Sequence, residues 1–273
     1  MTHDQSLALQ NDLYNLILNP ATRAWERQLL VAAKARLTDD ASLNRELDRL
    51  AADLRPLAQR NSLTPDVTDF YAKLTGETVL DTRAMVAKHW APDPPYQERA
   101  IFAGGCFWCL VEPFETRAGV NAVISGYTGG ALEQPTYEQV FSQTTGHVEA
   151  VEILFDRRQM TYADLLAIYW QLIDPTDDLG QIDDRGTQYR PVIFVNSPEQ
   201  RQLAKTAKQQ AMERYQRPIV VGIEAVQSFW PAENFHQQFY QRQPKRYRRI
   251  KHARQQYLFL QRLGVKWHQI WHH

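Results

Sequence analysis

Cysteine is scarce in this chain: 273 residues hold two, Cys106 and Cys109, three positions apart. Two thiols cannot complete a four-ligand structural zinc site, and no second C-x-x-C or well-spaced histidine pair supplies the rest. A disulfide closing so short a loop would add little stability. No apolar run reaches the ~18 residues that a membrane-spanning helix needs. Net charge is absent too, 31 basic residues balancing 31 acidic ones, which argues against a general polyanion binder. The opening Met1-Thr2-His3-Asp4-Gln5 lacks the basic and apolar regions of a secretory signal. Few cysteines without an export signal point to a cytoplasmic, reducing setting, where a close pair is more readily catalytic than structural. The length allows one large domain or two ordinary ones.

The pair sits in Gly104-Gly105-Cys106-Phe107-Trp108-Cys109. Upstream, Arg99-Ala100-Ile101-Phe102-Ala103 reads as a short strand, and Leu110-Val111-Glu112-Pro113-Phe114 as the start of a helix. The two glycines permit a sharp turn and clear space beside the first sulfur. A cysteine at a helix start meets free N–H groups and the positive end of the dipole, so the spacing predicts a thiolate at Cys106. Cys109 falls on the same face at i+3, within disulfide reach after a small backbone adjustment. Redox chemistry is the favoured local reading, with inert core cysteines as the alternative.

Residues 1–92 read as a helical segment. Leu9, Leu13, Leu16 and Ile17 precede a stop at Asn19-Pro20; Trp25, Leu29, Ala33 and Leu37 mark a second helix. Leu43, Leu47, Leu50, Leu54 and Leu57 give the strongest stripe. Thr64-Pro65 predicts an N-cap with proline at the first helical position, Gly76 a C-terminal stop, and a last piece runs to Trp90. This segment carries no cluster of catalytic side chains, and its role is open. Ala91-Pro92-Asp93-Pro94-Pro95 is a stiff linker and the predicted boundary.

Residues 96–250 change pattern. Ile101-Phe102, Ala122–Ile124, Val148–Phe155, Val192–Val195 and Ile219–Val226 read as strands, with helices signalled at Thr136-x-x-Gln139, Tyr162–Ile173 and Ser197-Pro198. Alternation places Glu149 on the face of Val151. The expectation is an α+β sandwich. From Gln241 onward come nine Lys or Arg and no acid, with Tyr247 and Tyr257 among them. No nucleic-acid fold signature accompanies this stretch, so a solvated helical face, or contact with the helical segment, is the readier reading. Residues 251–273 are expected to form a basic, aromatic tail ending in His268, His272 and His273.

Other stretches carry chemistry. Gly126-Tyr127-Thr128-Gly129-Gly130 displays a tyrosine in a turn, and Gly146-His147-Val148-Glu149-Ala150-Val151 brings a carboxyl onto an apolar strand, where desolvation favours its protonated form. Asp183-Asp184-Arg185-Gly186-Thr187-Gln188-Tyr189-Arg190 joins acids, a glycine turn and a tyrosine. Taken singly, packing accounts for Tyr127 and Tyr189, and solvent exposure for Glu149. Taken together, GGCFWC, GYTGG, TGHVEAV, GTQYRPVIF and Pro231-Ala232-Glu233-Asn234-Phe235-His236-Gln237 stand in the order and spacing of peptide methionine sulfoxide reductase A. The resemblance covers roughly residues 97–245.

That resemblance implies a ferredoxin-like sheet-and-helix core. It implies reduction of the S-epimer of methionine sulfoxide, free or in proteins, without metal or flavin, with thioredoxin or a small thiol as reductant. By position, Cys106 resembles the nucleophile. Phe107 and Trp108 resemble the methyl pocket, Glu149 the acid, Tyr127 and Tyr189 its hydrogen-bonding partners, and Asp184 the supporting acid. His236 is expected to be structural. Two departures stand out. No cysteine follows Gln243-Pro244-Lys245-Arg246-Tyr247, where many relatives carry the resolving thiol, and residue 109, often glycine, is cysteine. Cys109 is therefore the expected resolving residue. A general thiol–disulfide oxidoreductase, which would not need Glu149 or the tyrosines, and a redox-inert interaction protein remain the competing readings.

Overall fold

The computed structural model describes residues 3–19, 22–37, 40–59, 63–76, 80, 82–213, 215 and 217–262. Pro20 and the late histidines His268, His272 and His273 lie outside the described residues. The chain divides into two compact units, Met1–Asp81 and Thr82–His273.

The first unit contains α1 (His3–Leu18), α2 (Ala24–Arg36), α3 (Asp40–Gln59) and α4 (Pro65–Leu74). Its core joins Leu9, Leu13 and Leu16 with Leu30, the α3 stripe Leu43-Leu47-Leu50-Leu54, and Val67 and Phe70 of α4. The buried face of α2 departs from the sequence expectation at its start: Glu26 and Leu30 are buried while Trp25 is exposed and Leu29 half-buried, and Ala33 is buried as expected. Glu26 explains the shift. Its carboxylate accepts the backbone N–H of Arg23 at 3.0 Å and that of Thr64, so it closes the N-termini of two helices at once. Thr64 precedes Pro65 at the head of α4 as expected, yet its own side chain makes no cap bond. Gly76, at φ +73°, follows the end of α4.

The second unit opens with α5 (Arg83–Ala87), followed by β1 (Gln97–Ala103), α6 (Trp108–Glu115), β2 (Val120–Thr128), α7 (Tyr137–Phe141), β3 (Val148–Asp156) and α8 (Tyr162–Leu172). A two-residue hairpin, β4 (Gly180–Gln181) and β5 (Asp184–Arg185), leads to β6 (Val192–Val195), α9 (Pro198–Met212), β7 (Gly222–Ala225), β8 (Trp230–Pro231), α10 (Phe239–Arg242) and α11 (Pro244–Arg262). The main sheet has the order β7-β6-β1-β3-β2-β8. Its four central strands are antiparallel neighbours joined as βαββαβ through α6 and α8, a ferredoxin-like core. β8 adds antiparallel to β2, and β7 adds parallel to β6.

All nine residues of β3 are buried, because both faces of the sheet are covered. Phe102, Val151, Ile153 and Phe155 pack with α6 and α8 on one face. Ile101, Ala103, Val148, Ala150 and Leu154 pack on the other, with Met85 of α5 against them. The alternation that aligned Glu149 with Val151 therefore points its carboxyl to the helix side. Thr136 and Gln139 form the expected capping box, and Ser197 caps α9 through Gln200 N–H. The Ile219–Val226 run shortens to four paired residues, since Val220 N–H is already used by the Pro175 carbonyl at 2.9 Å.

Two boundaries move. The units divide ten residues before Ala91-Pro92, because α5 and Met85 belong to the sheet. The stretch read as a basic tail is helical through Arg262, with Tyr247, Arg254 and Leu258 buried. A chain beginning at Thr82 is expected to keep the sheet's far-ultraviolet circular dichroism and to melt in one cooperative transition. Loss of cooperative melting in that shortened chain would show that the first unit is needed for the second to fold.

Candidate active site

β1 ends at Ala103, and the chain reaches α6 through four residues that neither element can hold in regular form. Gly105 has φ +85°, a conformation that L side chains rarely adopt, and a Cβ on Gly104 would lie 2.5 Å from Ile173 Cγ2. Gly105 N–H donates to Tyr189 O at 3.0 Å, which fixes the turn against the segment after β5. The turn delivers Cys106 just ahead of α6 and Cys109 into its first turn; both are free thiols.

The free amides at this helix start do not wait for a thiolate. Cys106 N–H donates to Asp184 Oδ2 at 3.3 Å, and Phe107 N–H donates to Glu149 Oε2 at 3.1 Å. This corrects the expectation of an acidic nucleophile. Burial pushes the Cys106 thiol well above its ordinary value, and the nearby Glu149 and Asp184 carboxyls push it the same way; the Trp108 N–H opposes them. The two carboxyl groups have taken the amides at the positive end of the helix, so these N–H groups no longer favour a thiolate. At rest the sulfur is a thiol.

Glu149 is 2 % exposed, and burial, with the Asp184 and Glu233 charges, raises its pKa to about 8 against the bond from Phe107 N–H. It is therefore mainly a carboxylic acid at neutral pH. Burial likewise raises the pKa of Asp184, opposed by Arg254. Tyr189 and Tyr137 are both raised by burial first and then by Glu149 and Cys106, so two neutral phenols stand near the thiol and the acid. Tyr137 escaped sequence reading. Its signal was its place at the first residue of the capped helix α7, aligned with no glycine-rich motif.

Tyr127 is placed differently from expectation. It is fully buried, its ring 5.9 Å from that of Phe107, and its hydroxyl donates to Glu233 Oε2 at 2.9 Å. The other oxygen of Glu233 accepts Tyr137 N–H at 2.9 Å. Tyr127 thus supports the site from behind. Phe107 is also fully buried, leaving half-buried Trp108 as the aromatic wall open to a ligand. Trp108 stacks on Phe239 at 3.8 Å and 6°, and its Nε1–H donates to His236 Nδ1 at 3.2 Å. His236, whose pKa burial holds well below the usual value, is neutral and carries its proton on Nε2. Its ring lies within 5 Å of those of Phe107 and Tyr137, in keeping with a structural role. Among the described residues no group of three or more His, Cys, Asp or Glu could hold a metal ion.

A thiol, a protonated carboxyl and two phenols around one pocket define a thiol-dependent oxidoreductase site. Residues 98–266 match the family described as peptide methionine sulfoxide reductase, and the chain belongs to it. The chain is 60 % identical over 172 residues to peptide methionine sulfoxide reductase MsrA 1 of Lactococcus lactis subsp. lactis, covering 62 % of this chain and 93 % of that protein. It is also similar to solved structures. Methionine sulfoxide reductase A of Corynebacterium diphtheriae superimposes with a TM-score of 0.51 at 28 % identity, over 55 % of this chain and 77 % of that one. Reduced Mxr1 from Saccharomyces cerevisiae gives 0.54 at 23 % identity, over 57 % and 90 %, and supports the fold. Residues 4–78 match a second family, described as bacteriocin immunity protein.

Tyr127→Phe is expected to lower the stability of the second unit by roughly 1–3 kcal/mol in chemical denaturation, because Glu233 loses a buried donor. Tyr137→Phe, whose hydroxyl makes no such bond to Glu233, is expected to change stability by much less.

Proposed function

We propose that this protein reduces the S-epimer of methionine sulfoxide, free or in oxidised proteins, through Cys106, with Glu149 as the acid. The observation that carries this reading is the Glu149 carboxyl, buried at 2 % exposure, raised to about 8 and bonded to the amide next to Cys106. A sulfoxide oxygen is a poor leaving group until it is protonated. Glu149 holds the proton to give it, and Tyr189 and Tyr137 are neutral donors that can hold the oxygen. The Cys106 sulfur attacks the sulfoxide sulfur as its own proton departs. The oxygen passes to Cys106 as a sulfenic acid and methionine leaves. Trp108, held by its stack on Phe239, is the wall offered to the substrate's methyl group. Asp184 keeps the Cys106 amide in place.

Cys109 then condenses with the sulfenic acid to give a disulfide and water. The first turn of α6 is suited to the required loosening. Pro113 has no N–H to offer the Cys109 carbonyl, and Cys109 N–H reaches Cys106 O at 3.0 Å in a tight three-residue turn. Thioredoxin, or a small thiol, returns the pair to thiols, a need that fits a reducing compartment such as the cytoplasm.

Glu149→Gln keeps the shape and loses the proton, so single-turnover methionine release is expected to fall ~10²–10⁴-fold. In the unaltered protein the rate should decline as pH rises through about 8, since the acid form is the active one. A rate that is normal in the variant and rises smoothly past that pH would overturn the assignment. Cys109→Ser is expected to release about one methionine per molecule and then to stall with Cys106 oxidised, as read by intact mass; undiminished thioredoxin-driven turnover would remove Cys109 from the cycle.

A further inference from the structure

Arg254 is unused by the chemistry so far, yet it is the most deeply committed cation near the site. It projects from α11 and is 7 % exposed. Its Nη2 donates to Gly104 O and to Leu172 O, both at 2.8 Å, and its Nε to Leu172 O at 3.0 Å. Its Nη1 lies 3.9 Å from Asp184 Oδ2. A Cβ on Gly105 would stand 3.0 Å from Nη1, so the turn that carries Cys106 is moulded around the guanidinium. Burying an arginine is costly unless the charge has work to do or full compensation. Carbonyls satisfy its donors without neutralising it, and Asp184 Oδ2, at 3.9 Å from Nη1, stands beyond hydrogen-bond contact.

We propose that Arg254 is the positioning residue of the second half-reaction, anchored on Gly104 and Leu172 so that its guanidinium holds the Cys109 sulfur ready, as thiolate, to attack the Cys106 sulfenic acid. This rests on the reading of Cys106 and Cys109 as the redox pair. In the step, the Cys109 sulfur forms a bond to the Cys106 sulfur while the Cys106 S–O bond breaks. The oxygen leaves with the electron pair and takes up the proton that Cys109 gave, departing as water. Cys109 is oxidised and Cys106 reduced to the level of a disulfide.

The two sulfurs lie in different fields. Cys106 has the Glu149 and Asp184 carboxyls as its largest charged neighbours. Around Cys109, burial raises the pKa to about 11, Arg254 is the largest opposing influence, and Asp184 and Glu149 act more weakly in the opposite sense. Further out, Tyr247, Lys251 and Glu112 line the same cavity as Cys109 and Arg254. Glu112 is matched by Lys251 at 2.8 Å and by the Tyr247 hydroxyl at 2.9 Å, so it adds little net charge. Arg254 is thus the cation that acts on this pair of sulfurs, and it acts from the Cys109 side, where the two side chains line one cavity. The same contact would make Cys109 the better leaving group when an external thiol attacks the partly exposed Cys106 sulfur.

The test follows one turnover of reduced full-length protein with methionine S-sulfoxide, quenched in time by a sulfenic-acid trap and resolved by mass. For Arg254→Gln, disulfide formation at neutral pH is expected to slow about tenfold or more, and its pH profile to move upward; methionine release should fall by a smaller factor, so sulfenic acid accumulates. Arg254→Lys should restore part of the rate and of the profile. Equal slowing of methionine release and disulfide formation, with an unmoved profile, would make Arg254 a structural anchor alone and overturn the proposal. If the arginine variants do not fold, pH-dependent alkylation of the unaltered protein decides: Cys109 should titrate below Cys106, and the reverse order overturns it. Absence of methionine release from the unaltered protein would instead strike the proposed function.

Discussion

Two carboxyl groups occupy the N–H groups at the start of α6, and the site depends on that occupation. Glu149 takes the Phe107 amide and Asp184 the Cys106 amide. Helix starts leave N–H groups in need of acceptors, and here the chain supplies a carboxyl oxygen to two of them. The arrangement fixes the cysteine turn to β3 and to β5. It also outweighs the usual effect of a helix start on a thiol: two amides are spent on carboxyls, and burial overcomes what the Trp108 N–H still contributes. A sulfur so placed stays protonated until a substrate arrives with an oxygen that can accept the proton.

The aromatic layer makes that pocket stiff. Trp108, Phe239, His236, Phe107 and Tyr127 form a continuous chain of ring contacts, stacked at Trp108–Phe239 and tilted elsewhere. Its polar atoms are matched in sequence, Trp108 onto His236 and Tyr127 onto Glu233. Holding the rings in the folded state removes an ordering cost that binding would otherwise carry.

Much of this was legible in the sequence, for a physical reason in each case. The α3 leucines and the β3 alternation are one-sided patterns, and local periodicity determines which face is buried. The capping box at Thr136 and the Ser197 cap are local hydrogen-bond chemistry. The cysteine turn was legible in its own glycines and thiols, and Glu149, Tyr189 and Asp184, reached through a family resemblance, each bond a backbone amide of that turn. What escaped depends on distant contacts. Tyr127 and Tyr137 are ten residues apart, and only the pairing of β2 with β3 and β8 decides that one turns inward to Glu233. Arg254 lies in a dense basic run whose pattern suggests solvent, yet it is buried at 7 % exposure because carbonyls 82 and 150 residues away accept its donors. Glu26 shows the same blindness: a buried acid on a helix reads as surface until Thr64 N–H is seen to need it.

The bond between Arg254 and Gly104 spans 150 positions of the chain. A ribosome adding ~5–20 residues per second needs roughly 8–30 s to travel from one to the other. Throughout that interval the nucleophile has been made while the helix that closes its turn has not. The nascent thiols lack the burial that raises their proton affinity in the finished fold, and their reactivity is that of ordinary exposed cysteines. An enzyme that repairs oxidation is thus most open to oxidation during its own synthesis, and its last helix ends that exposure.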